Sequence, residues 1–292
     1  MNPVREPHIF LCPVCALPLE EGERSYACGH GHTFDRARSG YVNLHQTARR
    51  GDTRAMLLAR RAFLARGFFD PVTTAITDRV VEHLHRLRAE GRLRGYELIV
   101  DAGCGEGHVL ARVADALQRT GAFDGLRLVG LDASKEAARL AATRLRTGRF
   151  AVADITHGLH VRPGSAAVLL NVFAPRNPDA FAATLMPGGL CLVVIPRAGH
   201  MQELRTLLPL LEIPPEKHTR VVEQFRPHLA LTRSEDLDYA VDLDADAVRA
   251  WVQMGPNAWH LTSGQVAAIA FPGTITARVA CAVLSFEKQG AA

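Results

Sequence analysis

Four side chains near the start of the chain have the types and spacing of a closed metal site. Cys12 and Cys15 are separated by two residues, Cys28 follows after twelve more, and His32 after a further three. A CxxC turn lets two thiolates grip one ion, and a second turn adds a thiolate and an imidazole. Four such ligands in a tetrahedron suit Zn²⁺. With every position filled by protein, the ion would be structural and would not activate water. His30, spaced more tightly from Cys28, is a rival fourth ligand. Residues 1–44 hold too few apolar side chains to fold without a staple, which favours the metal. Clustered thiols in a reducing compartment also point to metal over disulfides. Cys104, Cys191 and Cys281 lie in apolar or Gly-rich segments and read as small core residues.

A second constellation begins where the apolar run 96–101 meets Asp101-Ala102-Gly103-Cys104-Gly105-Glu106-Gly107-His108. A Gly-rich turn after a first strand lets the backbone approach a ligand closely at the carboxyl edge of a sheet. A dinucleotide fingerprint would need Gly at 108, where His stands, and a phosphate loop would need Gly-Lys-Ser/Thr. The pattern D-x-G-x-G-x-G instead resembles the first motif of class I S-adenosylmethionine methyltransferases. Two further acidic strand ends agree with that likeness. Asp132 closes the run 127–132 and is placed to accept ribose hydroxyls. Asp154 closes the run 149–154 and Ile155 follows it, where such enzymes read adenine. Asn171 opens the loop Asn171-Val172-Phe173-Ala174-Pro175-Arg176-Asn177-Pro178, which would face the transferred methyl group. It lacks the Asn/Asp-Pro-Pro-aromatic sequence of enzymes that methylate exocyclic amines.

These residues need a frame to hold them. From about residue 95 the apolar pattern alternates between short strands (96–101, 127–132, 149–154, 166–173, 189–196) and helices (109–118, 135–145, 179–185). That alternation predicts an α/β fold with a mostly parallel, Rossmann-like sheet. Two longer strands, 229–243 and 274–286, flank a helix at 244–254 and predict an antiparallel edge. Residues 45–92 read as a basic helical connector. Asp52 or Thr53 would cap its first helix, and Pro71 would open its second. Three zones follow: a zinc-binding module at 1–44, the connector at 45–92, and a catalytic domain at 93–292.

The bulk composition sets few limits. Net charge is +4, and of 34 basic residues three are Lys. Arginine suits phosphate contacts and base stacking, although a GC-rich genome also raises its content. No apolar run is long enough to span a membrane and the N-terminus lacks a signal-peptide core, so a cytoplasmic protein is expected.

Together, the CPVC…CGHGH finger, HTFDRARSGYVNL (32–44), GDTRAMLLARRAFLARGFFDPV (51–72), DAGCGEGH (101–108) and QMGPNAWH (253–260) resemble the RlmA family of 23S ribosomal RNA guanine-N1 methyltransferases. The likeness spans nearly the whole chain and favours the Gram-positive branch, which includes a tylosin-resistance enzyme. It implies S-adenosylmethionine as cofactor and a 23S RNA hairpin near the macrolide site as substrate. It also implies a homodimer whose zinc modules and catalytic domains form an RNA cleft. Family cofactor contacts map onto Gly105 and Glu106 of the loop, onto Phe69, and onto His200. The wider cofactor set is then Phe69, Asp101, Gly103, Gly105, Glu106, Gly107, Asp132, Asp154, Ile155, Asn171 and His200. The metal set is Cys12, Cys15, Cys28 and His32.

Guanine N1 carries a proton and is a poor nucleophile until it is lost. Asp52, Glu106 and Asn171 are candidates to face N1 and O6, although Asp52 also suits a helix cap. Arg49, Arg50, Arg54, Arg60 and Arg61 are placed to hold phosphates, or else form a solvated helix face. A small-molecule methyltransferase, or an RNA-binding protein with an inactive catalytic domain, are the competing readings.

Overall fold

The computed structural model describes residues 7–45, 51–121, 125–205 and 208–289. Its centre is an eight-stranded sheet among the described residues, built on β5 (Leu98–Ala102). All five residues of β5 are buried, as a strand covered on both faces requires. On one side β5 pairs in parallel with β6 (Arg127–Asp132), and β6 with β7 (Arg149–Val152). On the other it pairs in parallel with β8 (Ala166–Val172), which pairs with β9 (Leu185–Pro196). The last two strands, β10 (Ala230–Leu243) and β11 (Ile275–Glu287), reverse direction, with β11 inserted between β9 and β10. The chain order therefore reverses beside β5. Its carboxyl end is the switch point where α/β sheets hold ligands.

One face of the sheet carries α2 (Asp70–Ala89), α3 (His108–Thr120), α4 (Lys135–Arg144) and α8 (Ala245–Gln253). Pro71 sits in the first turn of α2, where its missing N–H costs nothing. Ile76, Val80, Leu84 and Leu87 recur at helical spacing and are fully buried against the sheet. Each such side chain contributes about 2 kcal/mol. The stretch expected as a connector thus supplies a layer of the main core. Its first helix, α1 (Arg54–Ala65), is capped by Thr53, whose hydroxyl accepts the Met56 N–H. Arg66 fixes α1 to the start of α8 through a two-pronged ion pair with Asp244, at 2.7 and 2.9 Å.

The opposite face carries α5 (Pro178–Thr184) and α7 (Lys217–Phe225), the short α6 (Gln202–Arg205) between them in sequence packing Leu204 on the first face, but the crossover from β7 to β8, residues 153–165, contains no helix. The N-terminal ribbon fills that place. Its strands β1 (Leu19–Glu21), β2 (Ser25–Cys28) and β3 (Thr33–Asp35) form a small antiparallel sheet. Phe10, Leu19 and Tyr26 pack into one apolar cluster with Leu98, Val100, Val129 and Ala151 of the central strands. The Leu11 N–H donates to the His160 carbonyl, and the Arg162 N–H to that of Ile9. The ribbon then runs into β4 (Tyr41–Asn43), which pairs in parallel with β7 as the outermost strand of the central sheet. The boundary expected at residue 44 falls directly after this strand. The helix expected at 179–185 begins and ends one residue earlier, and Leu185 already opens β9.

Candidate cofactor site and zinc centre

The ligand atoms of Cys12, Cys15, Cys28 and His32 all lie within 4.8 Å of one another. The Cys15 and Cys28 sulfurs are 3.7 Å apart, and His32 Nδ1 is 3.3 Å from Cys28 Sγ and 3.6 Å from Cys12 Sγ. Zn–S bonds of about 2.3 Å put tetrahedral ligands about 3.7 Å apart, so the set fits one Zn²⁺. Burial works against a thiolate at Cys28, but the backbone N–H groups of His30 and His32 and the His32 ring bring it down to about 6. His30 is exposed and outside the group. The two CxxC and CxxxH turns therefore converge on one point, which lies in the layer covering the sheet.

At the carboxyl end of β5 the chain curls tightly. The N–H groups of Gly103 and Cys104 both donate to the Leu131 carbonyl, and the Gly105 N–H to Asp132 Oδ2 at 2.9 Å. Gly103 has φ +93°, and a Cβ there would stand 2.4 Å from Ala174 Cβ. Gly105 has φ +53° and faces the Arg60 guanidinium, while Gly107 (φ +80°) abuts Ala141. These glycines answer both a left-handed backbone and a lack of space. Ile155 lies 3.8 Å from the position of a Gly103 Cβ, which brings the first and third strand ends together.

Asp101 is buried, and its Oδ1 has no partner. Burial, and then the negative charge of Asp132, push its carboxyl up to about 7. Burial also raises Asp132, against the Ser134 and Gly105 N–H groups that hold its oxygens. Asp154 accepts from the Thr156 N–H and hydroxyl at one oxygen and lies 3.0 Å from His157 Nδ1 at the other. Two buried carboxylates side by side, one of them with a bare oxygen, call for a cationic, donor-rich ligand. An amino-acid nucleoside with an ammonium and ribose hydroxyls fits that demand.

Asn171 is fully buried at the end of β8. Its Nδ2 donates to the carbonyls of Ala102 (2.9 Å) and Pro175 (2.8 Å), and its Oδ1 has no partner. Two carbonyls around one atom require that atom to be the nitrogen, so the bare atom is the acceptor oxygen. Two residues on, Phe173 takes a left-handed backbone, φ +53°, uncommon for an aromatic residue, and its side chain is 42% exposed. Its ring lies 5.8 Å from Phe69 and stacks 6.4 Å from His200, which also faces Trp251. Burial holds His200 down at about 4, so the ring is neutral at pH 7. Its Nδ1 accepts the Ala280 N–H at 3.2 Å, leaving Nε2 to carry the proton. Sequence reasoning missed Phe173 and Trp251. The aromatic within the Asn171 loop was the available signal for Phe173.

The segment before α1 lies over the β6–α4 turn. Ser134 donates its hydroxyl to the Asp52 carbonyl, and Arg60 reaches Asp52 Oδ2 at 2.5 Å and the Met254 carbonyl at 2.7 Å. Arg61 (3.2 Å) and Arg144 (2.5 Å) both pair with Glu106 Oε2, whose side chain is fully buried. Burial raises Glu106 while Arg144 and Arg61 oppose it, and its Oε1 remains without a partner. Thr53, not Asp52, is the helix cap. Arg54 is exposed in the first turn of α1, whereas Arg49 and Arg50 lie outside the described residues.

The strand order, the glycine turn and the acidic strand ends define a class I S-adenosylmethionine-dependent methyltransferase carrying a zinc ribbon. Residues 10–45 match the N-terminal zinc ribbon of RlmA. The chain is 41% identical over 258 residues to the 23S rRNA (guanine(748)-N(1))-methyltransferase of Streptomyces fradiae, covering 88% of each. It is 38% identical to a Micromonospora griseorubida protein provisionally assigned as a 23S rRNA (guanine-N(1)-)-methyltransferase, covering 96% of this chain and 97% of that one. The chain belongs to the 23S rRNA guanine-N1 methyltransferase family. Among solved structures, the YcgJ protein of Bacillus subtilis aligns with a TM-score of 0.46 at 16% identity, covering 72% of this chain and 99% of that one. No helix among the described residues is long and apolar enough to cross a membrane.

Two outcomes follow from this geometry. Purified protein should hold one zinc per chain by elemental analysis. Chelation, or Cys28→Ser, should lower the melting temperature of the entire chain in one transition. A ribbon that melts separately while the rest is unchanged would contradict its place in the core. Asp101 gives a pH dependence. A cationic ligand needs the ionised carboxyl, so S-adenosylmethionine affinity should fall as pH drops below about 7 and level off above it. The raised carboxyl also makes the ligand-free fold less stable as pH rises from the ordinary carboxylate range through 7. Asp101→Asn should flatten both profiles in calorimetry and thermal melts.

Proposed function

We propose that this chain transfers a methyl group from S-adenosylmethionine to N1 of a guanine in a hairpin loop of 23S ribosomal RNA, the nucleotide equivalent to that named for the Streptomyces fradiae relative. The observation that carries the reading is the bare, orientation-fixed Asn171 Oδ1 beside the exposed Phe173 ring. Guanine carries an amine donor at N2 next to the reacting N1, whereas adenine has only C2–H there, so an acceptor that meets the base at this position favours guanine. A site built to hydrogen-bond one edge rejects the other strongly. The pairing edge is reachable only in a base turned out of its stack, and an exposed aromatic ring is a platform for such a base.

The bound cofactor supplies an electrophilic methyl on a sulfonium, which leaves as a neutral thioether. Asp101, Asp132 and Asp154 would hold its ammonium and nucleoside, and the turn at Gly103–Gly107 lets it lie against the backbone. Phe69 and neutral His200 wall the side toward the base. Positioning supplies most of the rate in such a transfer. With the cofactor bound, N1 would take the methyl as the C–S bond breaks, and the N1 proton would pass to water at the rim. Asp52 is tied to Arg60, and Glu106 to two arginines, so neither stands ready to take that proton. Asn171 has no useful basicity and acts by holding the edge in line.

The reading extends to a cytoplasmic homodimer whose two ribbons help to cradle the hairpin, with Arg54 and the segment at Arg49 and Arg50 near phosphates. Methylation beside the macrolide site would then contribute to tylosin resistance. Reverse transcription of 23S RNA from cells with and without the gene tests the target, because an N1 methyl blocks pairing. A gene-dependent stop at one guanine is expected. Transfer to small molecules with no RNA stop would overturn the proposal. Asn171→Ala should lower kcat/KM for RNA about a hundredfold while leaving S-adenosylmethionine affinity within a few-fold.

A further inference from the structure

A cavity of about 380 Å³ opens on the face that carries α7, between the end of β9 and the start of α7. Its walls include Arg197 directly after β9, Lys217 and His218 at the start of α7, and Ser234 and Asp236 of β10. Two residues separate Arg197 from His200, and the His200 N–H donates to the Arg197 carbonyl. Some of this lining is already satisfied. Arg197 pairs with Asp236 at 3.1 Å, and His218 Nε2 lies 3.1 Å from the Ser234 hydroxyl.

Lys217 is different. It is half-buried, and among the described residues neither a carboxylate nor a carbonyl takes its ammonium. Burial depresses it, and the nearby Arg176 guanidinium depresses it further. Arg176 follows Phe173 by three residues in the Asn171 loop. Its one side-chain bond is a long contact to the Ala174 carbonyl, 3.4 Å, and its Nε is buried without a partner. No acidic side chain stands near enough to offset its burial. Two cations, both partly stripped of water and neither paired with a carboxylate among the described residues, thus lie near enough to feel each other's charge, one in the Asn171 loop and one at the mouth of the cavity. Such an arrangement is unfavourable in the ligand-free protein, and an anion lying between the two relieves it. The first turn of α7 adds its partial positive charge on the same side. The spent pair Arg197–Asp236 leaves the cavity with a net positive wall.

We propose that Arg176 and Lys217 bind a backbone phosphodiester next to the turned-out guanosine, with the cavity at Arg197 and His218 taking the adjoining ribose-phosphate. The proposal rests on the RNA methyl-transfer reading above. It assigns the grip on the reacting nucleotide to the carboxyl edge of β8 and β9, apart from the arginines of α1. Phosphate at this point would fix how far the base can reach toward Asn171.

The test compares the full-length protein with Lys217→Ala, Arg176→Ala, the double variant and Lys217→Arg. Methyl transfer and direct binding are measured on a 23S hairpin at several salt concentrations. Each single alanine should raise KM for RNA about tenfold, change kcat little, and reduce the salt slope by about one. Lys217→Arg should restore most of the affinity. Inorganic phosphate should compete with RNA in the unaltered protein at concentrations where it no longer does so in the double variant. S-adenosylmethionine affinity by calorimetry should stay the same throughout. Unchanged RNA affinity and salt slope in a double variant that melts normally overturn the assignment, with the main reading intact. Cofactor affinity falling in step with RNA affinity also overturns it, placing the cations at the cofactor's carboxylate. An unaltered protein that neither binds nor methylates the hairpin overturns the main reading and this assignment together.

Discussion

The fold depends on covering one stretch of apolar sheet. Parallel strands are buried on both faces, and a helix in each crossover normally provides the cover. Here the crossover from β7 to β8 has none, so Leu98, Val100, Val129 and Ala151 would face water on that side. Phe10, Leu19 and Tyr26 of the ribbon close it. A ribbon so small cannot hold its shape by burial alone, and a metal tying Cys12, Cys15, Cys28 and His32 gives it rigidity. The zinc centre therefore bears on the sheet's stability although it lies apart from the chemistry. Its last strand, β4, adds hydrogen bonds along the edge of β7 and leads the chain toward the cofactor side.

That path explains why α1 lies where it does. The chain leaves β4, and the turn at Asp52–Thr53 then rests on Ser134, directly over the end of β6. From there Arg60 and Arg61 point into the site, one toward Gly105 and Asp52, the other toward Glu106. Arg61 neutralises the buried Glu106 of the glycine turn, and Arg60 pairs with Asp52 in the segment before α1. Charge balance in the site is thus completed by a helix that belongs to neither the ribbon nor the sheet.

Much of this was legible in the sequence because it rests on local rules. The apolar runs read at 96–101 and 166–173 marked buried strands, which form at Leu98–Ala102 and Ala166–Val172. Thr53 and Pro71 marked helix starts, and the glycine turn marked the switch point. What escaped depends on tertiary direction. A helical arginine row looks the same whether it faces solvent or a buried acid, so the inward course of Arg60 and Arg61 could not be read. Tyr41–Asn43 is too short to announce a strand, and it gains its pairing only when β7 is beside it. The spacing favoured His32 over His30 as the fourth ligand, and the curl of the turn brings His32 to the three sulfurs. An aromatic in the Asn171 loop was visible at Phe173, but its outward presentation depends on a left-handed backbone angle that the residue type does not announce.

The absent crossover helix has a further consequence for how such enzymes change over generations. A finger that merely hung from its neighbour could be traded between lineages as a cassette, retargeting the same catalytic body. Here the ribbon's inner surface is also an inner wall of the catalytic body, matched side chain by side chain. Swapping it would leave mismatched hydrophobic seams against Leu98, Val100, Val129 and Ala151, so ribbon and sheet are bound to vary together.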